Sequence, residues 1–289
     1  MTSALPGRLD RRARFLTLLR IYDLRFGPVT DDSEYANHPD VAALAWNLER
    51  EWLDELTALD DPLLHGDVVA GMRALAARDR LPEAYTWLAN DASWPEVVRF
   101  LALEGGPDGG FDDLVALCQV GLTGEPKIEL ARNYWDELGN GSLHQVHTAL
   151  HSRLVRAVSM PSIPREEQPV EALERAALGG FLASNHWLQP EMLGALGLIE
   201  LQAGPRCRLV LQAFDRLGAP REAYPFYLEH AEVDPRHGKD WMDHAVVPAV
   251  EAHPGWAPRI LRGALWRSRT NAAFFTALWQ ALSGESVAA

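Results

Sequence analysis

The sequence predicts an all-α protein, a bundle of roughly ten helices with no sheet. Three observations carry that prediction. Apolar residues recur at every third and fourth position along most of the 289-residue chain. Gly or Pro bounds most of these runs, as in helical bundles. No stretch alternates Val, Ile and Thr with polar residues, as a half-buried strand would.

In chain order, the first clear helix is "HPDVAALAWNLEREWLDELTAL", with Asp40 as a candidate cap. "GDVVAGMRALAARD", "SWPEVVRFLALE", "FDDLVALCQVGL" and "PKIELARNYWDEL" repeat the period, each short and punctuated. "VEALERAALGGFLAS", "EMLGALGLIELQAG" and "PRCRLVLQAFDRLG" follow, the last two separated at Pro205. From "LGAPREAYPFYLEH" the pattern runs on to about Val250. A last helix covers "PRILRGALWRSRTNAAFFTALWQAL". Residues 159–170, "SMPSIPREEQPV", carry three prolines and read as a surface connection. The first 35 or so residues read as peripheral, because charges interrupt their apolar pattern. If the histidines on either side of the proline-rich stretch converge, residues 1–289 form a single domain.

Bulk composition narrows the function. Asp and Glu outnumber Lys and Arg by 40 to 27, a net charge of −13. Phosphate backbones and anionic lipid surfaces repel such a chain, so neither nucleic acid nor membrane is an expected partner. The most basic run, Arg259 to Arg269, is expected to be a solvated helix face. Cys118 and Cys207 stand alone, excluding a C-x-x-C metal or redox motif, and read as small buried hydrophobes. No apolar stretch at the N-terminus is long enough for a signal peptide or a membrane span. A soluble cytoplasmic protein is expected. A small-molecule substrate is the expected partner, with a homodimer as the assembly to test.

The histidines point to chemistry. Seven of ten fall in two clusters: His144, His147 and His151, then His230, His237, His244 and His253. In "EHAEVDPRHGKDW", His230, Asp234 and His237 lie within roughly 60° on a helix wheel, so three potential metal ligands share one face. Buried imidazoles need partners, and either a metal or neighbouring carboxylates can supply them. Glu137 stands ten residues before His147. A continuous helix would separate them by about 80°. Gly139 and Gly141 loosen the chain between them and allow convergence. Glu104 closes the apolar run "VVRFLALE" and is a further candidate carboxylate, with a solvated helix end as the plainer alternative. Pro235 lacks an N–H, so the helix should bend or widen beside Asp234. The chain holds no H-E-x-x-H, G-x-S-x-G, Walker loop or E-x-x-H, so any metal site is not built the ferritin way.

Together, "ELARNYWDELGNG" with the histidine that follows it and "YLEHAEVDPRHGKDWMDHAVVP" resemble the iron-containing redox enzymes of the heme-oxygenase-like fold, also called heme-oxygenase-like diiron oxidases. The resemblance implies a heme-oxygenase-like helical bundle that binds two Fe2+ through side chains and uses O2 as cosubstrate. It implies substrates among amines, amino acids and fatty acids. It places Glu137 and His147 as middle-helix ligands, and His230, Asp234 and His237 as late-helix ligands. Glu104 is the best match for the upstream glutamate, with Asp112, Asp113 and Glu129 as rivals. His144 and His244 fall outside the ligand set. Tyr134, Trp135, Tyr224, Phe226, Tyr227 and Trp241 crowd the two motifs and read mainly as core packing. The competing expectation is the same bundle without redox metal, acting as a cofactorless enzyme or a small-molecule binding module.

Overall fold

The computed structural model describes residues 9–105 and 110–283. Among these there are thirteen α-helices and no strand. In order they are α1 (Arg11–Phe26), α2 (Pro39–Thr57), α3 (Val68–Arg78), α4 (Glu83–Asn90), α5 (Trp94–Glu104), α6 (Phe111–Cys118), α7 (Gly124–Glu137), α8 (His147–Ala157), α9 (Val170–Ser184), α10 (Gln189–Leu217), α11 (Tyr224–Asp240), α12 (Val247–Ala252) and α13 (Ala257–Ser283). Residues 1–8 of the N-terminus and residues 106–109 of "GGPDGG" lie outside the described residues.

Local chemistry sets most boundaries. Asp10 and Asp67 accept backbone N–H groups in the first turns of α1 and α3. Ser93 and Glu96 form a reciprocal box at the start of α5. At α2 the cap is His38, whose Nδ1 accepts from the Asp40 amide at 3.3 Å, so Asp40 is inside the helix rather than capping it. Gly105 and Gly218 end α5 and α10 in the left-handed region.

Three expectations change. The N-terminal segment is not peripheral. Arginines of α1 pair with glutamates of α2, α9 and the 165–167 turn, and Phe15 and Leu18 of the same helix are buried in the core with Trp52 and Phe181. The two runs flanking Pro205 form one helix, α10, with Pro205 inside it. The basic run of α13 is not a solvated face. Arg259 and Arg262 clamp the fully buried Glu191, Arg267 is buried, and of this run's arginines only Arg269 is exposed. A buried carboxylate needs such partners, which net charge alone does not reveal. Both cysteines are buried, as expected. Among the described residues no helix is long and apolar enough to cross a membrane.

Helix α10 is the axis of the arrangement. Along its contact with α11, Gly197 meets Trp241, Gly204 meets Pro235 and Gly238 meets the backbone of Glu200. One number rises as the other falls, so the two helices run antiparallel. At the Gly238 crossing a β-carbon would sit 3.0 Å from the Glu200 carbonyl oxygen, so glycine permits this approach. That closeness brings Glu200 beside Asp234 and His237.

Candidate metal centre

Glu137 is the last residue of α7 and His147 the first of α8. Between them the chain reverses through Gly139, Asn140 and Gly141, all at positive φ. A β-carbon on Gly139 would lie 2.4 Å from the Gln145 carbonyl carbon, so the tight reversal requires glycine. The result places His147 Nδ1 2.7 Å from Glu137 Oε2. The helix break expected between them is therefore what joins them.

The second half comes from α11. His230, Asp234 and His237 point to one side, as one helical face requires. Two groups of potential ligand atoms result. Glu137, His147 and His230 form one; Glu200, Asp234 and His237 form the other. Within each group the atoms lie within 4.8 Å of one another. All six residues are buried except His230, which is partly buried.

Five of the six residues expected from the sequence are in these groups, and Glu104 is not. Glu104 ends α5, where the Tyr85 hydroxyl donates to its carboxylate. The remaining place is taken by Glu200 of α10. Of its rivals, Glu129 is buried near Arg132, while Asp112 and Asp113 open α6. None of the three belongs to either group. Glu200 was missed because "LGLIELQAG" reads as plain core helix. Its signal was available: it is the only charge between Glu191 and Arg206, in a run too apolar to be a solvated face.

The hydrogen bonds around the groups aim the ligand atoms inward. His230 Nδ1–H donates to the Phe226 carbonyl at 2.7 Å, leaving Nε2 for the site. His237 Nε2–H donates to Asp136 Oδ2 at 2.8 Å, leaving Nδ1, which is 3.8 Å from Glu200 Oε2. Asn133 Nδ2 donates to Glu200 Oε1 at 2.7 Å. Helix α7 thus supplies Glu137 and also Asn133 and Asp136, which hold candidate ligands contributed by other helices. His144 is exposed, and the half-buried His244 pairs with Glu125, so both lie outside the groups.

Three buried atoms of the six group members have no hydrogen-bond partner: His147 Nδ1, Asp234 Oδ2 and His237 Nδ1. The His147 contact with Glu137 is short but not aligned as a hydrogen bond. Orphaned polar atoms are costly, at about 1–3 kcal/mol each. Three that converge on two carboxylate–imidazole groups fit divalent metal, and the mixed N and O donors suit iron(II).

Electrostatics agree. Burial, with Glu137 nearby, pushes the Glu200 carboxyl up to about 8. Burial and Glu200 hold the Asp234 carboxyl well above its ordinary range. Burial, with His147 beside it, lowers the His230 imidazole to about 4. Burial also lowers His147, but the adjacent Glu137 carboxylate outweighs it and the net direction is up. Such crowding of carboxylates is tolerable when cations share the space.

Pro235 lies inside α11 without interrupting it. Its missing N–H leaves the Ala231 carbonyl without the usual helical donor, and Arg208 Nη1 donates to that oxygen at 2.9 Å. The widening expected beside Asp234 appears further on, as a π-helical segment at Trp241–Val246.

The fold and site define a helical bundle with two buried histidine–carboxylate groups in its interior. The model of the iron-containing redox enzyme family matches residues 98–272, more than half the chain and all six group members. The chain belongs to the iron-containing redox enzyme family. No curated protein matches it.

Proposed function

We propose that the protein is a non-heme di-iron oxidase or oxygenase that activates dioxygen to oxidise a small organic substrate. The observation that carries this reading is the pair of buried three-residue groups with orphaned ligand atoms converging on them. Glu137, His147 and His230 would hold one iron, and Glu200, Asp234 and His237 the other. Three carboxylates offset most of the charge of two Fe2+ and so make burial tolerable. Iron(II) so held supplies electrons and open coordination positions for dioxygen.

The chain's own residues do the rest. Asp136 and the Phe226 carbonyl fix the ring orientations of His237 and His230. Asn133 fixes Glu200. Phe226 and Tyr227 line a cavity of about 130 Å³ that borders Glu137, Glu200, His230 and Asp234, so a substrate bound there lies against the groups with little water.

Metal analysis after anaerobic loading tests the reading. Close to two irons per chain are expected, with the number falling in His230→Ala. Mixing the loaded protein with dioxygen should give a transient near-ultraviolet or visible band. Retention well below two irons, or unchanged retention in His230→Ala, would count against it. A bundle that serves only as a binding module would show no band.

A further inference from the structure

Three tyrosines are buried among the described residues, and they differ in what their hydroxyls meet. Tyr22 donates to Glu49 at 3.1 Å, and Tyr85 donates to Glu104. Tyr227 is 6% exposed, yet among the described residues its hydroxyl has no hydrogen-bond partner. Its ring packs in the core as expected from the sequence. Phe214 and Phe226 meet it edge-on, with ring centres 5.6 and 5.1 Å away, so the direction of the phenol is fixed. Burial, and after it Glu104, push the phenol well above its ordinary range, so at neutral pH it is an uncharged donor.

That donor faces the site. Tyr227 precedes His230 by three residues and Asp234 by seven, so all three share one face of α11. All three line the cavity of about 130 Å³. Several other polar side chains on its wall are engaged within the protein. Gln202 donates to the Ala76 carbonyl, Arg206 to the Asp79 carbonyl, and Asn271 accepts from Arg175 at 3.1 Å. Buried donors rarely go without an acceptor, because the unmade bond is costly. One neutral donor matches one neutral acceptor; a buried anion needs more than a single such bond. Phe111, Ile199 and Phe226 add apolar wall around the same space.

We propose that Tyr227 is a substrate-binding residue whose hydroxyl donates to an uncharged carbonyl oxygen on the molecule that the cavity takes. Held there, that molecule lies along the helix face that carries His230 and Asp234. Calling it a substrate rests on the proposed oxidase reading, but the binding itself needs no turnover.

The probes are cyclopentanone and methylenecyclopentane, rings of the same shape with and without the acceptor. A ring of this size suits the cavity, since an apolar cavity of about 150 Å³ already takes benzene. Calorimetry without dioxygen measures both on the full chain, in iron(II)-loaded and metal-free forms. Tyr227→Phe is expected to weaken cyclopentanone about tenfold and leave methylenecyclopentane unchanged, in both forms. By NMR of the metal-free protein, the carbonyl carbon of isotopically labelled, bound cyclopentanone should move upfield in the variant, as loss of a hydrogen bond requires. The ligand-free variant should melt no lower than the unaltered protein, because no bond within the protein is lost. Equal weakening of both probes, no weakening of either, an unmoved carbonyl resonance, or no binding of cyclopentanone to the unaltered chain overturns the proposal. So does an effect confined to the iron form, which would put the hydroxyl on a group at the metal. A variant that melts lower or fails to fold also overturns it, since the hydroxyl would then have a partner inside the protein. A Tyr227 effect without iron retention would sink the di-iron reading and leave this one standing. Two irons without a Tyr227 effect would do the reverse.

Discussion

His237 donates from Nε2 to Asp136 at 2.8 Å and thereby turns Nδ1 toward Glu200. Arg236 also donates to the same Asp136 oxygen, at 3.1 Å. The carboxylate fixes both the tautomer and the ring orientation of a candidate ligand without itself belonging to either group. Partners of this kind typically change metal affinity by about 10–100-fold. Asp136→Ala is therefore expected to weaken iron(II) binding by that factor. Asp136→Asn, which keeps an acceptor oxygen, should recover part of it. Anaerobic titration with a competing chelator measures both. Asp136→Ala binding iron as tightly as the unaltered protein would show that the bond is incidental.

Proton release gives a second prediction. In the metal-free protein burial raises the Glu200 carboxyl to about 8, and Asp234 is raised as well. A raised folded value means the folded state holds a proton that the unfolded state has lost. The associated stability is complete below the ordinary carboxyl range and disappears as pH rises toward 8. Iron(II) must displace those protons, so its affinity should climb with pH across the same window. His230 has the opposite sign. Its folded value is depressed to about 4, so its contribution is present above the ordinary histidine value and lost as pH falls toward 4. Calorimetry in buffers of different ionisation enthalpy should find more protons released per iron at about pH 6.5 than at about pH 9. Equal release at both would contradict these assignments.

How much of this was legible in the sequence differs by element. Helix α9 was readable to its ends, because proline precedes it and its apolar period is clean. The first group was readable as well, since two glycines around Asn140 announced the reversal that joins Glu137 to His147. Helix α1 was not, because its arginines look like a solvated segment until their glutamate partners are in place. Glu200 and Asp136 were hidden for different reasons. Glu200 depends on a glycine-mediated approach of α10 to α11, a tertiary fact without local period. Asp136 acts across helices, and one more acidic residue beside Glu137 carries no signal of that. Glu104 shows the converse: closing an apolar run says that a carboxylate is near the core, not which neighbour it meets.

A third prediction concerns Arg208. Its guanidinium donates to the Ala231 carbonyl, the acceptor that Pro235 leaves without a helical N–H. Arg208→Met should then cost about 1–3 kcal/mol, the usual penalty for a buried acceptor left unpaired. Pro235→Ala restores the helical donor, so the same arginine change should cost much less in that background. A double-mutant cycle by urea denaturation reads the coupling. Strict additivity would mean that Arg208 supports α11 in some other way.

The last prediction is that iron orders the ligand helix. Residues 229–241 hold three candidate ligands, a proline and the orphaned atoms Asp234 Oδ2 and His237 Nδ1. Without metal the segment forgoes one backbone hydrogen bond at Pro235 and buries polar atoms that nothing satisfies. Both lower the free energy needed to open it locally. Arg208 offsets the first deficit only. Iron(II) removes the second, and its binding energy is then partly consumed in ordering the helix. Amide hydrogen exchange with and without iron(II) should therefore show protection rising in residues 229–241, with little change in α1, which contributes no residue to the cavity beside the two groups. Because Gly238 packs on the Glu200 backbone, a smaller rise is expected around Glu200 on α10. Equal protection of residues 229–241 in both states would mean that α11 is already rigid without metal. Pro235 would then be a passive feature of a preformed site, and iron affinity would carry no ordering cost.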